Sequence, residues 1–254
     1  MKILAVGDVT GDIGVRHLEK NLRRFKQSEG IDLTIVNAEN SASGNGLDRN
    51  SAEGIFSAGA DVLTGGNHVF RISPAYSYID ENEFIVRPAN YPDSCPGRGY
   101  TVYDCGTERV LIINVLGTTY MEPLGCPFKT VENILRKEAE SYSLCFIDVH
   151  AEATSEKAAL ARYFDGRVTG VFGTHTHVQT ADARILPKGT GFITDIGMCG
   201  PTDSILGVKC DRVIDKMRLH LPRRFEYADG QTEATGVVFT VENRRVTEVR
   251  GVRF

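Results

Sequence analysis

The sequence predicts an α/β fold, and three observations carry that expectation. Short apolar runs of strand length recur along the chain, helical patterns lie between them, and run after run stops at a polar or glycine-rich segment. The first run, Ile3–Val6, stops at Gly7-Asp8 and is followed by a helical pattern from Val15 to Gln27 with Leu18, Leu22 and Phe25 on one face. Leu33–Val36 and Val62-Leu63 are the next two runs. Tyr100–Cys105 reads as a strand, and so do Val110–Val115, Leu144–Val149 and Val168–Phe172, with helical patterns at Val131–Glu140 and Glu156–Phe164. Continuous apolar runs of this length suit strands buried on both faces. The glycine and proline cluster from Pro187 to Gly207 reads as a long surface loop, followed by a helix near Lys209–His220. Thr235–Thr240 and Arg245–Arg253 read as two strands joined at Glu242-Asn243, so antiparallel pairs accompany the parallel ones. No internal repeat, low-complexity tract or flexible linker interrupts the pattern, and a single domain over residues 1–254 is expected.

Composition narrows the class. At 254 residues, 41% hydrophobic and 24% charged, the chain can bury a sizeable core and is neither collagenous nor wholly disordered. A net charge of -4 without a polybasic run argues against nucleic acid or an anionic membrane as the main partner. No apolar stretch approaches the roughly 20 residues that span a bilayer, and the opening MKILAVGDV meets Asp8 without a signal-peptide core, so a cytoplasmic protein is expected. Six scattered cysteines without a CxxC pair read as reduced structural thiols.

In open α/β sheets ligands gather at the carboxyl ends of strands, so the residues that follow each run are the informative ones. They are Asp8, then Asn37 to Asn40, then Gly66-Asn67-His68, then His150, then Gly173-Thr174-His175-Thr176-His177. Four of the six histidines lie among them. Each has an ordinary structural explanation: Asp8 as a helix cap, Asn40 and Asn67 as turn formers, His150 as a satisfied core residue. The pair His175 and His177 is harder to explain so, because residues i and i+2 at a strand end present two ring nitrogens toward one centre. Two carboxylates, two carboxamides and three imidazoles without a thiolate suit Mn, Fe, Co or Zn. Seven candidate ligands exceed one tetrahedral site and suit two metals sharing a carboxylate. Two divalent ions against Asp8, Glu39 and a bridging hydroxide leave such a centre net positive, which fits a singly charged phosphodiester.

The succession Gly7-Asp8, Glu39-Asn40, Gly66-Asn67-His68, His150 and Gly173–His177 resembles the calcineurin-like metallophosphoesterases. The fuller stretches Asn37–Ala42, Val149–Lys157, Gly173–Asp182 and Thr194–Pro201 resemble their bacterial YmdB-like branch, and the likeness runs from Lys2 to the final VRF. It implies a four-layer α/β/β/α sandwich of two mixed sheets, with Fe or Mn as metals. It further implies one metal on Asp8, Glu39, Asn40 and His177, a second on Glu39, Asn67, His150 and His175, and hydrolysis of 2′,3′- and 3′,5′-cyclic nucleotides. Two positions depart from the broad superfamily: Thr10 stands where DxH has its histidine, with Asn40 as substitute, and Val69 replaces the acid that often follows GNH.

The expected reaction is attack on phosphorus by a metal-bridging hydroxide, with His68, one residue past Asn67, as general acid on the leaving oxygen. A phosphomonoesterase or RNA-directed nuclease would use the same metals, although the chain has no basic aromatic track for long RNA. A metal-bound regulatory or scaffold protein with little turnover is the non-enzymatic alternative. Gly7–Gly11 is not GxGxxG, no GxSxG is present, and the HxH pair lies too far along the chain for a TIM-barrel amidohydrolase. Loops Ser41–Asp48 and Thr194–Leu206 are expected to border the cleft, and apolar residues of Ile196–Leu206 could serve a homo-oligomer interface.

Overall fold

The computed structural model describes residues 1–254. From the amino end, β1 (Lys2–Val6) and the short β2 (Asp8–Val9) lead into α1 (Gly11–Glu29), β3 (Leu33–Asn37), α2 (Arg49–Ala58) and β4 (Val62–Thr64). A 3-10 turn at Ser73–Ala75 runs into α3 (Tyr76–Glu81), β5 (Ile85–Val86), β6 (Tyr100–Asp104) and β7 (Arg109–Leu116). Next come α4 (Pro127–Lys137), β8 (Leu144–His150), α5 (Thr154–Tyr163) and β9 (Gly170–Thr174), then three short strands, β10 (Arg184–Ile185), β11 (Gly191–Ile193) and β12 (Met198–Pro201). Helix α6 (Cys210–Leu219) and the hairpin β13 (Thr232–Glu242) and β14 (Arg245–Arg253) complete the order.

These strands form two mixed sheets. One is ordered β2-β12-β13-β1-β3-β4-β5, with β14 also paired to β13, and the other β10-β11-β9-β8-β7-β6. The run β1-β3-β4-β5 is parallel, as is β7-β8-β9-β11, while β13, β6 and β10 pair antiparallel with their neighbours. Side-chain alternation then produces the layers. Along β1, Leu4 and Val6 face α1 and α2, whereas Ile3 and Ala5 face the other sheet. Along β8, Phe146 faces inward between the sheets, whereas Cys145, Ile147 and Val149 pack against α4 and α5. Three apolar interfaces therefore separate four layers, α/β/β/α. Gly170 and Gly191 make room between the sheets: a Cβ on Gly170 would lie 2.6 Å from Phe146, and one on Gly191 would lie 2.7 Å from Phe239.

Helix α1 buries Val15, Leu18 and Leu22 and stops at Gly30, whose left-handed φ of 67° lets its N–H reach the Lys26 carbonyl. Helix α2 has no counterpart in the sequence-based expectations. Its start is a capping box in which the Asp48 carboxylate accepts from Ser51 N at 2.8 Å.

Three expectations need correction. Pro187–Gly207 is not a surface loop, since it contains β11 and β12 and buries Phe192, Ile193, Ile196 and Cys199. Its strands are only three and four residues long, too short for a periodic signal. Ile196 is consequently in the core, and of that stretch only Leu206 offers a large exposed apolar side chain. The last hairpin turns at Asn243-Arg244, both at positive φ (49° and 62°), with Glu242 already paired to Arg245. The strand expected at Val168–Phe172 lies two residues later and so carries Thr174 at its end.

Candidate metal centre

The two sheets bring their carboxyl ends together at one edge of the sandwich. The sheet containing β1 supplies Asp8, Glu39, Asn40, Asn67 and His68, and the other supplies His150, His175 and His177. The contacts fall into two groups that share Glu39. In one, Asp8 Oδ1 lies 3.6 Å from His177 Nε2 and 3.4 Å from Asn40 Nδ2, which is 3.1 Å from Glu39 Oε1. In the other, Glu39 Oε1 lies 3.2 Å from His150 Nε2, which is 3.0 Å from Asn67 Oδ1 and 3.1 Å from His175 Nδ1. Asp8, Glu39, Asn40 and His150 are buried and form the floor, while Asn67, His68, His175 and His177 are half-buried around it.

Each of the three facing imidazoles is fixed through its outward nitrogen. The Thr174 hydroxyl donates to Asp148 Oδ1 at 2.7 Å and therefore accepts from His150 Nδ1 at 2.8 Å. His177 Nδ1 donates to the Leu206 carbonyl at 3.1 Å, and His175 Nε2 faces Glu152 Oε2 at 3.1 Å. Tethering one ring nitrogen to an oxygen acceptor turns the other, as a bare lone pair, into the centre. Lone pairs packed this closely beside two carboxylates need shared protons or cations between them. Burial alone would strip His150 of its proton, yet Glu39 and Asp8 outweigh it and push the group up to about 9. Burial alone would raise Glu39, but His150 and His68 hold it well below the usual carboxylate range. Burial likewise works to raise Asp8, and His177 and His150 reverse that. His177 is raised against burial by Asp8, whereas burial and then His150 lower His175. The set of oxygens and imidazole nitrogens, with no thiolate, fits divalent cations of the Mn, Fe, Co or Zn kind.

Backbone geometry shows how closely the parts are pressed. A Cβ on Gly66 would overlap Glu39 Oε2 and His150 Nε2. His175 and His177 hold left-handed backbone at φ 97° and 62°, a cost of about 1–3 kcal/mol each. The N–H of His175 donates to Asp8 Oδ2 at 3.1 Å, which ties that turn back to β2. A wide surface concavity lies elsewhere, around Tyr142, Arg167, Lys188 and Arg245. Donor chemistry, not depth, marks this centre.

The model of the YmdB-like protein family matches residues 4–252 of this sequence. The chain belongs to that family, a branch of the calcineurin-like phosphoesterases. A Bacillus subtilis (strain 168) protein of this kind, 2′,3′-cyclic-nucleotide 2′-phosphodiesterase, is 42% identical over 250 residues, covering 98% of this chain and 95% of its own. Among solved structures, a Thermus thermophilus protein superposes with a TM-score of 0.95 at 38% identity, covering 100% of this chain and 99% of the other. A Mycoplasma pneumoniae phosphatase gives 0.94 at 35% identity, covering 100% and 93%.

All eight residues singled out in this YmdB-like sequence converge, His68 included. Its Nδ1 lies 2.8 Å from Asn40 Oδ1 and 3.3 Å from Glu39 Oε1, and its N–H donates to Glu39 Oε2 at 2.9 Å. Asn40 thus orients the His68 ring, which Val69 beside it cannot do. Of the supporting residues, Asp148 and Thr64 escaped the sequence reading, while Asn37, Thr174 and Glu152 stood in its motif stretches without a role. Asp148 takes hydroxyl bonds from Thr64 at 2.6 Å and Thr174, and burial pushes it up to about 6. The signal for it was an acid two residues before the strand-end histidine, inside an otherwise apolar run.

Proposed function

We propose that the protein is a metal-dependent phosphodiesterase that hydrolyses cyclic nucleotides, the 2′,3′-cyclic class before the 3′,5′. The observation that carries this reading is the convergence of three outward-tethered imidazoles on two buried carboxylates, in a chain 42% identical to a 2′,3′-cyclic-nucleotide 2′-phosphodiesterase. Asp8 and His177 would hold one ion and Asn67, His150 and His175 the other, with Glu39 common to both. Asn40 turns Nδ2 toward Asp8 and Glu39 and Oδ1 toward His68, so it would join the first ion only with its amide turned over. Iron and manganese are the proposed metals. Bound there, such ions supply a water acidic enough to act near neutral pH and neutralise phosphoryl charge.

The chain's own residues supply the rest. His68 Nδ1 bonds Asn40 Oδ1, and Nε2 has no protein partner. The protonated ring can therefore give the Nε2 proton to the ribose oxygen as it leaves phosphorus. Thr174 and Asp148 keep His150 in the tautomer that leaves Nε2 available. We take residues 1–254 to act as one domain, because both sheets contribute to this centre.

The test is turnover of 2′,3′-cyclic AMP, 3′,5′-cyclic AMP, a nucleoside monophosphate, bis-p-nitrophenyl phosphate and a short RNA by Mn- or Fe-reconstituted protein of measured metal content. Turnover of the cyclic nucleotides, fastest for the 2′,3′ isomer, is expected. Fully loaded protein that leaves both cyclic nucleotides intact sinks the proposal; turnover confined to the monophosphate assigns a monoesterase, and turnover of nothing assigns a regulatory role.

A further inference from the structure

Two of the motif stretches noted in the sequence, Val149–Lys157 and Thr194–Pro201, carry residues the catalytic reading leaves idle. They meet behind the histidine turn. Lys157 of α5 and Asp195, just past β11, form an ion pair at 2.6 Å with both side chains out of solvent. Ion pairs this deep are expensive to bury and are held only where further polar groups complete them. Here Asp195 Oδ2 also accepts from Thr176 N at 3.2 Å and from the Thr176 hydroxyl at 2.8 Å, and Oδ1 accepts from Gly197 N at 2.9 Å. Thr176 is the residue between His175 and His177, both in left-handed backbone. The ammonium reaches this point because the Lys157 stem passes across Gly173, where a Cβ would lie 2.6 Å from Lys157 Cδ.

We propose that Lys157 and Asp195 are positioning residues for the metal centre. Acting through Thr176, the pair clamps a backbone turn that would otherwise relax, and so aims His175 and His177 at once, one toward each ion. A clamp used only for fold stability would need no bonds to the one residue flanked by both histidines. The inference rests on the two-metal reading of the centre.

The decisive variant is Thr176→Val, which removes the hydroxyl bond at nearly constant shape and leaves the ion pair intact. Thr176→Ser is its conservative rescue. Metal-free protein titrated with Mn2+ by calorimetry should show about 10–100-fold weaker uptake for Thr176→Val, the usual loss when a ligand's outer partner goes, with the hydroxyl of Thr176→Ser restoring it. The metal-free melting temperature of Thr176→Val should stay near that of the unaltered chain. A double variant, Lys157→Met with Asp195→Asn, removes both charges together and avoids stranding either one. It should fold and likewise bind Mn2+ weakly. Unaltered Mn2+ affinity in a folded Thr176→Val or double variant overturns the positioning role alone. Failure of the unaltered chain to take up Mn2+ overturns the two-metal reading, and this inference with it.

Discussion

His68 sits on the open side of the centre with one ring nitrogen bonded to Asn40 and the other unpartnered. In its proposed role as general acid His68 would contribute about 10²–10⁴-fold, so His68→Ala should lower kcat by that factor with the metal content of the reconstituted protein unchanged. Loss of metal in that variant would make it a ligand instead. The buried neighbours predict a proton balance. Ligation needs neutral imidazole, yet His150 keeps its proton up to about 9 beside Glu39 and Asp8. Metal uptake by the metal-free protein should therefore release protons, and apparent affinity should climb as pH rises from 6 to 9. Titration calorimetry in buffers of different ionisation enthalpy checks this, and pH-independent uptake would contradict it.

Among the elements, strand ends were the legible ones, because buried parallel strands are apolar up to the point where a ligand is needed and polar beyond it. Helix α2 was not, because its ten residues bury only Ser51, Ala52, Ile55 and Ala58, too small an apolar stripe to read. Its capping signal, Asp48 followed by Ser51, is what starts it. Asp48→Ala should cost about 1 kcal/mol in urea unfolding with metal content unchanged. A loss within error would mean that packing alone holds the helix start. Strands β11 and β12 were missed for a related reason: glycines that read as loop punctuation serve close packing there. Gly191 of β11 and Gly200 of β12 mark places where a Cβ would meet the Phe239 ring and the Thr10 hydroxyl.

At the scale of the molecule, two sheets packed face to face put donors from both halves of the chain into one centre. Phe239 joins the sheets, with its ring 5.2 Å from Phe146 at 63° and 6.4 Å from Phe172. Truncation of a fully buried aromatic costs about 3–5 kcal/mol, a large share of a domain's stability of about 5–15 kcal/mol. Phe239→Ala should therefore lower the urea midpoint steeply and, because the centre spans both sheets, loosen metal binding as well. Unchanged Mn2+ affinity in that variant at temperatures where it stays folded would show that the two edges of the sandwich hold the centre independently.

The sequence by itself determined the class of fold, the donors at the strand ends and their fitness for divalent cations, since these follow from local apolar runs and from side-chain chemistry. Only the tertiary structure decided which donors share a partner, that Asn40 orients His68, and that Lys157 and Asp195 meet behind Thr176. Such contacts join residues tens to more than a hundred positions apart, and no local pattern records a distance that arises only when two sheets close on each other.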